Sequence, residues 1–253
     1  MKATFFQKPN EFNLNIEGES WRQGDPVSGS LLIRNHGTEA LDASEIRVVL
    51  AHGAITKVRK KDAGAFTVVS EQAMSSEPGA PKIVPGSQAS FQWKFETDRN
   101  CTVTEKGSSL FILYGRGESL DSLGQIQLVI HPYFIIQEYL NSIQTQFRFV
   151  LKSFRTTKGW LECKLSPPSA RNFASVEQLL LSFRFDGDTL MAHYSFDVKK
   201  LEALAATTSI SKQKREFEQN YNSMQYLRNG RFNFDEIEAS IRDVMNQLNP
   251  GVL

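Results

Sequence analysis

Short runs in which apolar and polar residues alternate fill most of the first ~130 residues, the signature of half-buried strands. The clearest run has Val27, Gly29, Leu31 and Ile33 alternating with Ser28, Ser30, Leu32 and Arg34. Gly24-Asp25-Pro26 turns the chain into it and Asn35-His36-Gly37 closes it. A glycine in mid-strand marks either a bulge or a place where another segment passes close. The runs TFFQK, EFNLNIE, SEIRVVLAHG, AITKVRKK and GAFTVVSEQ read the same way. After a small, polar, proline-bearing loop at 73–82, IVPGSQASFQWKFETD restarts the alternation with Phe91, Trp93 and Phe95 on one face. SSLFILYGRGE and GQIQLVIHP complete a series of short strands divided by turns, which predicts a β-sandwich. Pro132 cannot donate to a ladder and ends the last strand, so the first domain is expected over 1–132.

Beyond the proline the period changes. Phe134, Ile135, Ile136, Tyr139, Leu140 and Ile143 fall at helical spacing. Strands return in QFRFVLKSF, WLECKLSP, VEQLLLSFRFDG and DTLMAHYSFDVKK, the last two joined by an Asp186-Gly187-Asp188 hairpin turn. A second, smaller β unit opening with a helix is therefore expected over 133–200. In the tail, 201–253, Phe217, Tyr221, Met224 and Arg228 form a stripe, and Asn229-Gly230 reads as a helix stop. Asn233, with Glu236 three residues on, caps a second helix whose seam is Phe234, Ile237, Ile241, Val244 and Leu248, and Pro250 ends it. The expectation is a C-terminal helical hairpin. A hairpin of this length is not stable alone, so its seam docks on the β units, pairs with a second copy, or folds on a partner.

Composition removes several classes of function. The 29 basic and 28 acidic residues nearly cancel, against the basic surplus of a nucleic-acid binder. No apolar run approaches the ~20 residues of a membrane helix, and MKATFFQKPNEF has no signal-peptide character. Cys101 and Cys163 stand far apart in no metal-like spacing and read as free thiols of a cytoplasmic protein.

No catalytic constellation emerges. Gly115-Arg116-Gly117 begins a phosphate-loop pattern, but Leu120 holds the third glycine position, so a tight turn is the better reading. His36, His52, His131 and His193 each lack a second ligand at metal spacing. Asp186 and Asp188 lack the longer oxygen series of a calcium loop. Neither cofactor nor metal is expected. The densest basic cluster, Lys57, Arg59, Lys60 and Lys61, reads as a hairpin end. Such charge more often meets water than a ligand; an acidic partner or a lipid headgroup is the functional alternative.

WRQGDPVSGSLLI resembles the early turn-and-strand of the arrestin fold, and IVPGSQASFQWKFE its later Pro-Gly turn feeding a strand of alternating aromatics. SSLFILYGRGESLDSLGQIQLVIHP followed by a helix, then VEQLLLSFRFDGDTLMAHYSFDVKK with its Asp197-Val198-Lys199-Lys200 ending, is similar to the bacterial sporulation-control proteins of the arrestin clan. The resemblance spans about 200 residues and leaves the tail outside. It implies an all-β protein of two tandem arrestin-like, immunoglobulin-type sandwiches with an inter-domain helix. It further implies a non-enzymatic adaptor for protein partners, in sporulation, cell division or cytoskeletal organisation. Two rival readings are a membrane- or cargo-sorting coat component like the arrestin-fold subunit of retromer, touching the membrane through the basic run, and an enzyme on a sandwich scaffold.

Overall fold

The computed structural model describes residues 1–74, 82–204 and 207–248, so most of the loop expected at 73–82 and the helix end expected at Pro250 lie outside the described residues. The chain divides into two units, Met1–His131 and Pro132–Leu253.

The first unit runs β1 (Lys2–Gln7), β2 (Asn10–Ile16), β3 (Trp21–Arg22), β4 (Pro26–Asn35), β5 (Leu41–Asp42), β6 (Ile46–Ala54), α1 (Ile55–Lys60), β7 (Phe66–Ala73), β8 (Lys82–Ile83), β9 (Gln88–Glu96), β10 (Ser108–Arg116), β11 (Gly124–Gln127) and β12 (Ile130–His131). Two four-stranded sheets, in the orders β1-β2-β4-β9 and β11-β10-β6-β7, make a sandwich. Phe12, Leu14, Leu31 and Trp93 of the first sheet meet Val48, Leu50 and Ile112 of the second in the core. Val49, Ala51, Phe111 and Leu113 point the other way and are covered by Val58 of α1 and by Leu120 and Leu123. β6 and β10 are thus apolar on both faces, which is why VVLA and LFILY read as continuous runs rather than alternations. Gly29 marks a close approach, not a bulge: β4 pairs with β2 and β9 without a register shift. A Cβ at Gly29 would stand 2.1 Å from the Asn15 carbonyl oxygen and 2.7 Å from the Trp93 ring. Gly24 takes φ +88° in the turn before β4, a region other residues resist.

The second unit contains α2 (Phe134–Gln146), β13 (Val150–Thr157), β14 (Trp160–Ser166), β15 (Val176–Asp186), β16 (Thr189–Leu204), β17 (Thr207–Tyr221), α3 (Ser223–Tyr226), β18 (Leu227–Arg228), β19 (Arg231–Phe232) and α4 (Phe234–Leu248). β13 to β17 form one antiparallel meander of five strands in chain order. Its inner face carries Leu161, Cys163, Leu179, Leu181, Phe183, Tyr194 and Phe196, all buried. The facing layer is helical, built from α2 and α4, where a second sheet was expected. Apolar stripes on those helices (Ile135, Ile136, Tyr139 and Leu140; Ile237, Ile241 and Val244) supply the cover.

The tail corrects the helical-hairpin expectation. The expected first helix is strand β17 up to Tyr221, paired along β16 from Leu190↔Tyr221 to Leu204↔Thr207. Arg215, Phe217, Gln219 and Tyr221 alternate inward while Lys214, Glu216, Glu218 and Asn220 are exposed. Phe217 and Tyr221, four apart, satisfy a period of two as well as a helical turn, and the open edge of β16 decides between them. Asn229 (φ +53°) and Gly230 (φ +74°) form the turn between β18 and β19 instead of stopping a helix. The tail is therefore part of the second unit.

Candidate functional site

The four cations Lys57, Arg59, Lys60 and Lys61 lie on and just after α1, not on a hairpin end. ITKV has the β-branched residues of a strand, yet Ile55 and Val58 are three apart and both turn toward the sheet, Ile55 buried and Val58 against the outer apolar cluster. That spacing winds the segment into a helix. The Lys61 N–H donates to the Val58 carbonyl (3.1 Å) and the Asp62 N–H to that of Lys57 (3.0 Å), with Lys61 at φ +56°. This is a Schellman-type stop. Cations in the last turn also suit the helix dipole, so part of the cluster has a structural reason. All four side chains are exposed, and none makes an ion pair among the described residues.

Five residues beyond Lys61 the chain enters β7. This strand pairs with β6 on one side and, among the described residues, with no strand on the other. Its first five residues, Phe66–Ser70, carry no charge, and Val68 and Val69 are 44% and 55% exposed. The far end is occupied: Glu71 pairs with Arg47 at 2.9 Å, and Gln72 accepts the Lys94 N–H of β9 at 3.2 Å. A register shift between Leu50 and Ala51 leaves Val69 without a partner on β6. The edges of the second unit differ, β13 carrying Lys152 and Arg155 and β17 carrying Lys212, Lys214, Glu216 and Glu218. Charge of that kind blunts an edge against pairing, and the first half of β7 has none.

A cavity of about 430 Å³ opens beside α1 and the start of β7. Phe5, Val58, Phe66 and Leu123 make apolar walls, and Lys61, Asp62, Asp121 and Ser122 add polar groups. Tyr114 of β10 also lines it although only 1% of that residue is exposed. Its ring meets Phe5 edge-on, with centroids 6.2 Å apart. Gly124 lies under the hydroxyl end, where a Cβ would stand 2.9 Å from the Tyr114 Cζ and 2.7 Å from Phe5. Burial pushes the Tyr114 phenol up to about 12, so it stays neutral. No described residue bonds its hydroxyl.

The tail seam lies in the other unit and is enclosed there. Ile237, Ile241, Val244 and Leu248 are buried, and Phe217 meets Phe196 edge-on. Tyr221 joins a buried network: its hydroxyl lies 2.9 Å from those of Tyr139 and Ser240, and Tyr139 also bonds Tyr194. Arg215 donates to the last carbonyl of α4, at Leu248 (2.7 Å). Of the alternatives open to the seam, docking on its own unit is the one observed. Met224 and Phe234 are exceptions, 81% and 49% exposed.

The histidines do not converge. His36 pairs with Glu11 at 3.0 Å, His52 sits on β6, His131 on β12 and His193 on β16. Burial pushes the Cys101 and Cys163 thiols up to about 12, so both are protonated at neutral pH. Among the described residues no three His, Cys, Asp or Glu side chains gather as a metal site, and no helix is long and apolar enough to cross a membrane.

Neither the β7 edge nor the Tyr114 cavity is visible in the sequence reading. The adjacent valines 68 and 69, which break strand alternation, are the one sequence cue to the edge.

No family model and no curated protein matches the sequence. Among solved structures, the crystal structure of Spo0M, a sporulation control protein from Bacillus subtilis, superposes with a TM-score of 0.66 at 13% identity, covering 94% of this chain and 98% of that one. The chain therefore shares the arrestin-like, mostly β fold of that protein over nearly its whole length. The C-terminal domain of wzt (TM-score 0.33, 10% identity, 53% of this chain and 80% of that chain) matches only part of the chain. So does a β-glucosidase from Listeria innocua (TM-score 0.30, 13% identity, 51% and 17%).

Proposed function

We propose that the chain is a non-enzymatic adaptor that holds an extended segment of a protein partner as an added strand on β7, with acidic residues of the segment against α1. The uncharged, valine-bearing edge beside four cations that make no ion pair among the described residues carries this reading. An added strand satisfies the outward N–H and C=O groups of β7, which gives affinity without sequence demands, while side-chain contacts supply selectivity. Charge on α1 speeds encounter and sets polarity more than it adds affinity. The shared fold with a sporulation control protein makes bacterial sporulation, cell division or cytoskeletal control, in the cytoplasm, the setting proposed for that adaptor.

Capture of partners by the purified chain, followed by titration of one purified partner, tests the reading. Val69→Asp adds a charge at an exposed position and is expected to weaken the titrated affinity roughly tenfold or more without loss of fold. An unchanged affinity contradicts it.

The exposed cations of α1 also favour a second reading, a coat-type protein that touches anionic membranes. Flotation with anionic vesicles decides: loss of flotation on changing Lys57, Arg59, Lys60 and Lys61 together to glutamate supports this reading, and unaltered flotation removes it.

A further inference from the structure

We infer that α3, the β18–β19 turn and the start of α4 form a self-complementary surface through which two copies of this chain pair about a two-fold axis. The surface belongs to the second unit, so this inference neither rests on the β7 reading nor falls with it.

The seam of the tail is enclosed, yet two of its apolar residues are left out: Met224 is 81% exposed and Phe234 49%. Neither is loosely placed. A capping box fixes α3: the Asn222 side chain accepts the Met224 N–H (3.0 Å) and the Gln225 side chain accepts the Asn222 N–H (3.0 Å). Two residues on, Tyr226 is buried and donates its hydroxyl to the Asp188 carbonyl (2.9 Å). Met224 is thereby held outward as a knob. The Asn233 N–H donates to the Tyr226 carbonyl (2.9 Å), which brings the start of α4 beside α3. Phe234 stands there, edge-on to the buried Phe232 with ring centroids 4.8 Å apart.

Beside the knob is a hole. A shallow groove of about 530 Å³ lies between the β18–β19 turn and the first residues of α4, lined by Phe232, Phe234, Arg228 and Arg231 among others. Arginine stems add apolar surface to such a lining. Met224 is not on it, so the chain's own knob stays out of its own hole. A surface that carries both meets a rotated copy of itself twice, each copy's Met224 entering the other's groove. The unbranched thioether side chain adapts to a shallow site of this kind.

Charge selects a second copy over other partners. Arg228 and Arg231 face each other across the hairpin, and Asp235 and Glu236 follow in the first turn of α4. All four are exposed, and none makes an ion pair among the described residues. The acids suit a helix start in any case. The arginines have no such reason, since like charges directly opposed across a ladder repel. Two cations and two anions leave the patch neutral. A phosphate-covered surface gains at the arginines and loses at the acids, whereas a two-fold copy sets arginines against acids on both sides of the axis. The patch is smaller than the roughly 20–30 residues a side of a standard interface. A weak, reversible dimer with a dissociation constant of about 10–100 μM is therefore expected.

Sedimentation equilibrium of the full chain from about 5 to 500 μM tests the pairing. A monomer–dimer equilibrium is expected, and Met224→Asp should raise its dissociation constant roughly tenfold or more. Arg228→Glu with Arg231→Glu, and separately Asp235→Arg with Glu236→Arg, should each abolish self-pairing, while an equimolar mixture of the two variants should pair again. Adding Met224→Asp to both members of the mixture should undo that recovery. Val69→Asp, in the other unit, should change nothing. Near-UV dichroism checks that each variant is folded, as substitutions at exposed positions should be. A chain that is monomeric throughout the range, a dimer that Met224→Asp leaves as strong, or charge variants that stay monomeric when mixed overturns the inference. So does flotation of the chain on phosphatidylserine vesicles that Met224→Asp abolishes, which would assign the patch to a membrane.

Discussion

Gly29 shows how one residue fixes the meeting of three strands. Its absent side chain admits both the Asn15 carbonyl and the Trp93 ring. Gly29→Ala places a methyl group where backbone already stands. Overpacking of this kind costs about 1–3 kcal/mol, so the thermal midpoint of the first unit should fall by several degrees. Scanning calorimetry on the single variant checks this, and an unchanged midpoint contradicts the contact. The sequence shows that a glycine sits in a strand and limits the reasons to two. It does not show Trp93 as the neighbour, because the contact joins residues 64 apart through the pairing of β4 with β9. Local alternation carries no information about which strands become neighbours. The same limit hides Tyr114, whose place on the cavity wall depends on where Phe5 and Gly124 arrive.

At the scale of elements, most strands and the long helices α2 and α4 are legible because one period dominates each. α1 and β17 are the misreadings, and each satisfies two periods. Ile55 and Val58 carry β-branched side chains on helical spacing, while Phe217 and Tyr221 sit four apart in a segment rich in helix-forming Lys, Glu and Gln. Tertiary contacts decide both: the sheet face draws α1 down, and β16 offers β17 a full ladder. The inward side of β17 then holds α4 through Arg215, Gln219 and Tyr221. Truncating a buried seam residue should loosen this layer. Ile241→Ala is expected to cost about 2–5 kcal/mol, whereas Met224→Ala, at an exposed position, should stay within about 0.5 kcal/mol. Urea unfolding followed by Trp160, the tryptophan of the second unit, measures both. Equal effects of the two substitutions contradict the enclosed seam.

Across the whole molecule, several buried acids are held neutral. Desolvation raises Tyr139 and Tyr194 well above their ordinary value, and Cys163 and Tyr114 to about 12. In the unfolded chain these groups ionise from about pH 8.5 for a thiol and about pH 10 for a phenol. Below that range both states are protonated and the stabilisation is fully present. As pH rises toward the folded values the unfolded state loses protons first, so stability falls. The urea midpoint should be level near neutrality and decline above about pH 9. Tyr139→Phe should start lower, having lost its bonds to Tyr194 and Tyr221, and decline less steeply. A midpoint that rises with alkali contradicts the burial of these groups. The two units divide between His131 and Pro132, at a residue that cannot donate to a ladder. The sequence misses that the second sheet is covered by helices, since the identity of a covering layer is a property of the assembled fold.

The adaptor reading stands on one strand edge, and hydrogen exchange across β7 tests it most directly. Peptides selected from a random display library against the full chain supply defined partners. On binding, the amides of Phe66–Ala73 should exchange more slowly, the selected peptides should carry acidic residues at the end facing α1, and Val69→Asp should abolish the protection. Protection confined to other strands, with β7 exchanging as it does in the free chain, would contradict the account.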